Sequence, residues 1–161
     1  MKIIFIGTVK FSESALLRLI SLNVNIIGVC TLKKSGYNSD YVDLTKICND
    51  NDINIHYMKN VNDDITKKWI KKQKPDIIFC LGLSQIIGKE VLSIPPGGVI
   101  GYHPALLPVN RGRHPLIWAI VLGLKETGST FFYMDEGADS GDIISQKTIK
   151  INNSDTAQVL Y

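Results

Sequence analysis

MKIIFIGTVKFSESALLRLISLNVNIIGVCTL, residues 1–32, is the stretch on which the reading of the fold turns. Lys2–Gly7 (KIIFIG) gathers β-branched and aromatic residues into a short run closed by a glycine, the pattern of a strand buried on both faces. Ser12 then opens a helix in which Ala15, Leu16, Leu19 and Ile20 recur at spacings of three and four. Val24–Leu32 (VNIIGVCTL) is a second strand run. Strand, helix and strand in this order predict a parallel pair with a helical crossover.

The alternation continues along the chain. Lys33–Asn38 reads as a loop, and Asp40 with Asp43 resembles a capping box before a short helix through Ile47 and Cys48. Ile53–Met58 is a third strand. Asn62 is expected to cap a helix over Asp63–Lys74, with acids in its first turn and lysines in its last, as the helix dipole favours. Pro75 stops it, and Asp76–Leu81 (DIIFCL) is a fourth strand. Ser84–Leu92 reads as a short helix, Pro95–Gly98 as a turn, and Val99–His103 as a fifth strand. Pro115 sits in the first turn of a helix ended by Gly123. Ser129–Met134 and Ile143–Ile149 are the last two strands, joined by an acidic, glycine-rich loop. The pattern predicts an α/β fold with a doubly wound, mostly parallel, Rossmann-like sheet and helices on both faces. With no linker or repeat, residues 1–161 read as one domain. Asn153–Asp155 resembles a helix cap, and Thr156–Tyr161 supplies less than two turns, too little for a stable helix alone. The expectation is therefore a fragment truncated in its last helix.

Composition narrows the function classes. Apolar residues make up 45% and charged residues 20%, ordinary globular values that exclude a disordered or fibrous chain. The apolar run Leu116–Leu122 falls far short of the roughly 20 residues that span a bilayer, so no membrane partner is expected. The formal net charge of +3 does not by itself imply nucleic acid. Cys30, Cys48 and Cys80 are odd in number and widely spaced, as in reduced core thiols of a cytoplasmic protein. Gly7 is the single glycine of the first strand-to-helix turn, which disfavours a dinucleotide fingerprint. The lysines around Trp69 and Ile70 read as a solvated helix face, and His56 as a structural histidine.

Chemistry concentrates between Gly101 and Gly141. His103 stands at the carboxyl end of a strand, where open α/β sheets bind ligands. Pro104–Pro108 fixes the turn that follows, and Arg111–Pro115 is basic and conformationally special. The loop Met134–Asp142 carries four acids. A histidine and a loop carboxylate that converge form a general-base dyad, in which the acid orients the ring and stabilises its charged form. No histidine or cysteine set has the spacing of a metal site. The acidic loop taken alone also has the composition of a Ca²⁺ or Mg²⁺ loop.

His103–Pro108, Arg111-Gly112, Pro115 with Trp118, Thr127–Thr130 and Met134–Ile143, in this order, resemble the formyltransferase superfamily, which uses N10-formyltetrahydrofolate. The resemblance spans essentially the whole chain and is strongest over Val99–Gln146. It implies that His103 and Asp139 are catalytic, and that the formyl-folate lies against Leu83, Ser84, Gln85, Ile86 and Ile87 and against Glu136, Gly137, Ala138 and Asp139. It places the amine acceptor at Gly7 and Thr8 and at the Arg111, Gly112 and Arg113 turn. The paired arginines and Trp118 resemble enzymes acting on nucleotide-linked amino sugars, an Arg fork being suited to a diphosphate. The tRNA-directed members carry a further C-terminal β-domain, so tRNA is the less favoured partner; a homodimer through elements beyond Tyr161 is a further expectation. One position departs from the family, whose Asn-x-His has Gly101 in place of the asparagine. Loss of an oxyanion donor commonly costs ~10²–10³ in rate, so a folate- or nucleotide-binding module without catalysis is the competing expectation.

Overall fold

The computed structural model describes residues 1–34, 36 and 39–161. Ser35, Tyr37 and Asn38, part of the expected Lys33–Asn38 loop, lie outside the described residues. The chain divides into two compact units, Met1–Ile100 and Gly101–Tyr161.

The first unit alternates as expected: β1 (Ile3–Ile6), α1 (Lys10–Ser21), β2 (Ile26–Thr31), α2 (Thr45–Asp50), β3 (Ile55–Tyr57), α3 (Asp64–Gln73), β4 (Ile77–Cys80), α4 (Lys89–Leu92) and the first residues of β5 (Val99–His103). Its strands lie in the order β3-β2-β1-β4, and the pairings of β1 and β2 are parallel. All four residues of β1 are buried, and Ile6 is in register with Cys30 on one side and Cys80 on the other. A strand this apolar is stable only when flanked on both edges and covered on both faces.

Four local expectations change. Ser12 lies inside α1, which begins at Lys10; its hydroxyl accepts the N–H groups of Thr8 (3.0 Å) and Val9 (3.1 Å) and donates to the Leu81 carbonyl. Asp63, not Asn62, caps α3: its side chain accepts the Thr66 N–H at 2.6 Å. Asp43, not Asp40, accepts the Thr45 N–H ahead of α2. The expected Ser84–Leu92 helix contracts to Lys89–Leu92, because Gly88 is an extended N-cap and residues 84–87 are irregular. His56 finds its partners in α3, stacking on Trp69 (centroids 5.0 Å apart) and bonding the Thr66 hydroxyl at 3.0 Å. On the same helix Lys67 pairs with Asp64 and with Glu90, each at 2.9 Å.

The second unit holds the end of β5, α5 (Pro115–Val121), β6 (Glu126–Tyr133), β7 (Ile143–Lys150) and α6 (Ala157–Leu160). β6 and β7 pair antiparallel, with a register irregularity at Phe131/Phe132. Pro115 occupies the first turn of α5, as its ring geometry suits. α6 is capped by Thr156, whose hydroxyl accepts the Val159 N–H, rather than by the Asn153–Asp155 stretch. The turn after His103 is tied to the sheet by side chains: Thr130 donates to the Ala105 carbonyl (2.6 Å), and Gln146 donates to the Leu107 carbonyl (2.9 Å) and to the Thr130 hydroxyl (2.9 Å). The class is therefore α/β and mostly parallel, as read from the sequence. Among the described residues, no helix is long and apolar enough to cross a membrane.

Candidate active site

His103 ends β5 on its buried side, 5% exposed. Its Nε2 lies 2.8 Å from the Asn110 carbonyl oxygen. A carbonyl only accepts, so Nε2 carries the proton and Nδ1 is left to face Asp139, 3.5 Å from its Oδ2. The same Oδ2 accepts the Gly112 N–H at 2.9 Å. Asn110, Gly112 and Asp139 all hold positive φ (56°, 92° and 51°), a backbone region that costs an ordinary residue energy and that Gly, Asn and Asp tolerate best. Left-handed backbone thus places one carbonyl and one carboxylate at a single imidazole, and one N–H behind that carboxylate.

The acidic loop is braced by a different acid. Asp135 accepts from the Ser140 hydroxyl (2.7 Å) and from the Gly137 N–H (3.0 Å), and the Ser140 hydrogen bond is the main cause that holds its carboxyl below the usual range. Asp139 makes neither contact and points to His103 and Gly112 instead. Glu136, Gly137 and Ala138 are exposed.

Gly101 precedes the histidine by two residues on the same face of β5. A Cβ there would meet Met134 Cγ at 2.8 Å and the Phe132 ring at 2.9 Å. The space that an asparagine side chain needs is taken by these two side chains, so the departure from Asn-x-His is built into the packing.

Arg111, Gly112 and Arg113 are exposed, with Gly112 anchored to Asp139 between them. Gly7, Thr8 and Leu83–Ile87 belong to the first unit. Thr8 is fully buried, and its hydroxyl donates to the Gly82 carbonyl at 2.9 Å. Gln85 is also committed internally: its amide oxygen accepts the Val61 N–H (2.8 Å) and its nitrogen donates to the Lys59 carbonyl (3.2 Å). Ile87 is buried, whereas Ile86 is 68% exposed. The three thiols are buried, and burial pushes Cys48 up to about 11, Cys80 up to about 12 and Cys30 further in the same direction. None is a nucleophile at neutral pH. Among the described residues, no group of three or more His, Cys, Asp or Glu side chains is arranged to hold a metal ion.

The model of the family described as formyl transferase matches residues 1–161. The chain belongs to that family. Among the chain's relatives, the methionyl-tRNA formyltransferase of Clostridioides difficile (strain 630) is 34% identical over 100% of the chain and 53% of the relative. That of Thermodesulfovibrio yellowstonii is 36% identical over 98% and 53%. The chain thus spans about half the length of the curated relatives it matches. Among solved structures, the phosphoribosylglycinamide formyltransferase of Bacillus halodurans shares the fold with a TM-score of 0.85 and 22% identity, over 99% of this chain and 85% of that one. WlaRD, a sugar 3N-formyl transferase solved in the presence of dTDP and 5-N-formyl-THF, aligns with a TM-score of 0.75 and 26% identity, over 100% and 56%.

Sequence reading missed Asn110, whose contribution is a main-chain carbonyl. The available signal was an asparagine, a residue that accepts left-handed backbone, one position before Arg111-Gly112. The relation of Phe132 and Met134 to Gly101 has no sequence signature.

Proposed function

We propose that this formyl transferase moves the formyl group of N10-formyltetrahydrofolate to an amine, with His103 and Asp139 as the catalytic residues. The observation that carries the reading is the His103–Asp139 contact at 3.5 Å, held by Asn110 on one side and Gly112 on the other. The Nε2 edge is the tight one at 2.8 Å, while the Nδ1–carboxylate distance exceeds the 2.7–2.9 Å of a formed charge-assisted bond. Catalytic hydrogen bonds are often long before substrate arrives. The working edge is therefore Nδ1 with Asp139. The acceptor's neutral amine attacks the formyl carbon, and the imidazolium formed as Nδ1 takes up the amine's proton by way of Asp139 steadies the oxygen that gains charge. The proton lost by the amine passes by way of Asp139 and Nδ1 to N10 of the folate as the old C–N bond breaks. No covalent enzyme intermediate is formed. Leu83–Ile87 and Glu136–Asp139 are assigned to the donor, chiefly through backbone groups, and Gly7, Thr8 and Arg111–Arg113 to the acceptor.

For the acceptor we favour a nucleotide-linked amino sugar. Two exposed arginines flanking a glycine suit bidentate recognition of a diphosphate, and likeness to a sugar 3N-formyl transferase over the full chain supports the same class. The alternative is the amine of a methionyl-tRNA, favoured by the relatives of 31–36% identity. Labelled N10-formyltetrahydrofolate offered with dTDP- and UDP-amino sugars and with methionyl-tRNA separates the two. Label in a sugar product supports the first and label only in tRNA the second. Formate release without an acceptor identifies a hydrolase, and no turnover of any kind leaves a binding module.

A further inference from the structure

Two amide side chains in the first unit do work that neither their own elements nor the catalytic residues require. Asn62, one residue before the α3 cap, donates from Nδ2 to the Ile86 carbonyl (2.8 Å) and accepts the Gly88 N–H on Oδ1 (2.7 Å). Gln85 reaches the opposite way, accepting the Val61 N–H (2.8 Å) and donating to the Lys59 carbonyl (3.2 Å). Each segment thus lends one side chain to the other's main chain, four hydrogen bonds in all. Between β4 and α4, residues 83–88 have no regular structure, and among the described residues no main-chain to main-chain hydrogen bond engages Leu83, Gln85, Ile86 or Ile87. Burial of Ile87 and the two amides therefore help to set their shape. Ile86 remains 68% exposed on a stretch of backbone that is otherwise stapled at both ends.

We infer that Asn62 and Gln85 are positioning residues that hold Leu83–Gly88 in the conformation that receives the donor's heteroaromatic ring, an inference that rests on the assignment of this segment to formyl-folate. Each amide oxygen and each amide nitrogen of the two side chains has a main-chain partner. Their effect is exerted on the main chain itself. A segment that samples its binding-competent shape only part of the time binds with an affinity reduced by that fraction. If removing one amide lowers the competent fraction to about one tenth, affinity falls about tenfold.

The test uses the whole 161-residue chain and 5-formyltetrahydrofolate, an unreactive relative of the donor, as the calorimetric probe. Asn62→Ala and Gln85→Ala are expected to raise its Kd about tenfold each, and the double variant less than the product of the two, because the four bonds form one clasp. In turnover the donor KM rises with the Kd while kcat at saturating donor stays within about twofold. Asn62→Asp, which keeps the acceptor for Gly88 and loses the donor to Ile86, is expected to fall between the wild type and Asn62→Ala. Ile70→Val, which trims a fully buried side chain of α3 and removes no hydrogen bond, serves as the control for lost stability and is expected to leave Kd unchanged. A wild-type chain that binds the probe with amide variants that bind it equally well overturns the clasp alone. A Kd raised as much by Ile70→Val as by Asn62→Ala also overturns it. A wild-type chain with no affinity for the folate overturns both the clasp and the assignment of the segment.

Discussion

Among the described residues, each unit holds three non-glycine residues in left-handed backbone, and the two sets do different things. In the first unit they are Asn23, Asp52 and Lys74, which stand at the ends of α1, α2 and α3. That is the ordinary use of the conformation: it turns the chain out of a helix and satisfies trailing carbonyls. In the second unit they are Asn110, His114 and Asp139, and only His114 adjoins a helix, as the N-cap of α5. Asn110 and Asp139 instead aim a carbonyl and a carboxylate at His103. Strain at a helix end is punctuation; strain that converges on one titratable ring marks a site.

Two aspartates draw the same contrast. Asp63 accepts the Thr66 N–H and Asp139 accepts the Gly112 N–H, at 2.6 and 2.9 Å. The first closes a helix, while the second ties a basic loop to an imidazole. The largest expected effect follows from this difference. Asp139→Asn and His103→Ala should each lower kcat by about 10²–10⁴, with the double variant little worse than either, as for groups that act as one unit. Single-turnover formyl transfer measures it, and additive losses would break the pairing.

Gly101→Asn comes next. Overpacking against Phe132 and Met134 should cost about 1–3 kcal/mol of stability, read by denaturant unfolding, without the gain in rate that a restored oxyanion donor would bring. A faster enzyme would show that the missing asparagine, rather than the packing, limits this site.

Asp63→Ala should lower stability by about 1 kcal/mol while leaving kcat unchanged. Its pH dependence has a definite sign. The Thr66 N–H is the main cause that holds the Asp63 carboxyl below its ordinary range, so the folded state binds a proton less readily than the unfolded one. The cap therefore contributes fully above about pH 4, the unfolded carboxyl value, and is lost as pH falls through the lower folded value. Acid unfolding of the variant should show a shallower loss over that window. The smallest effect belongs to Lys74→Gly: relief of the left-handed backbone should raise stability by about 0.5 kcal/mol with activity unchanged, whereas Gly112→Ala, at φ 92°, should lower activity. Equal behaviour of these two substitutions would erase the distinction between the units.

What the sequence determined by itself is the parallel α/β class, the extent of β5 from Val99 to His103, the start of α5 at Pro115, and the choice of His103 and Asp139 as partners. These rest on periodicity summed over many residues, on proline geometry and on a set of motifs in order. Tertiary structure decided the rest. Asn62 and Asp63 are chemically equivalent caps one position apart, and the choice between them depends on Ile86 and Gly88, far along the chain, which take Asn62 for themselves. Ser84–Ile87 has helical spacing, yet the same two bonds and the extended Gly88 keep it out of a helix. Gly101 reads as a lost donor until Phe132 and Met134 are seen to fill its side. The Asn110 carbonyl that sets the proton on His103 Nε2 belongs to the main chain, which every residue shares, so no residue type could announce it. Local patterns specify elements because they are sums over neighbours; the partners of a buried polar atom lie elsewhere in the sequence, and only folding brings them within reach.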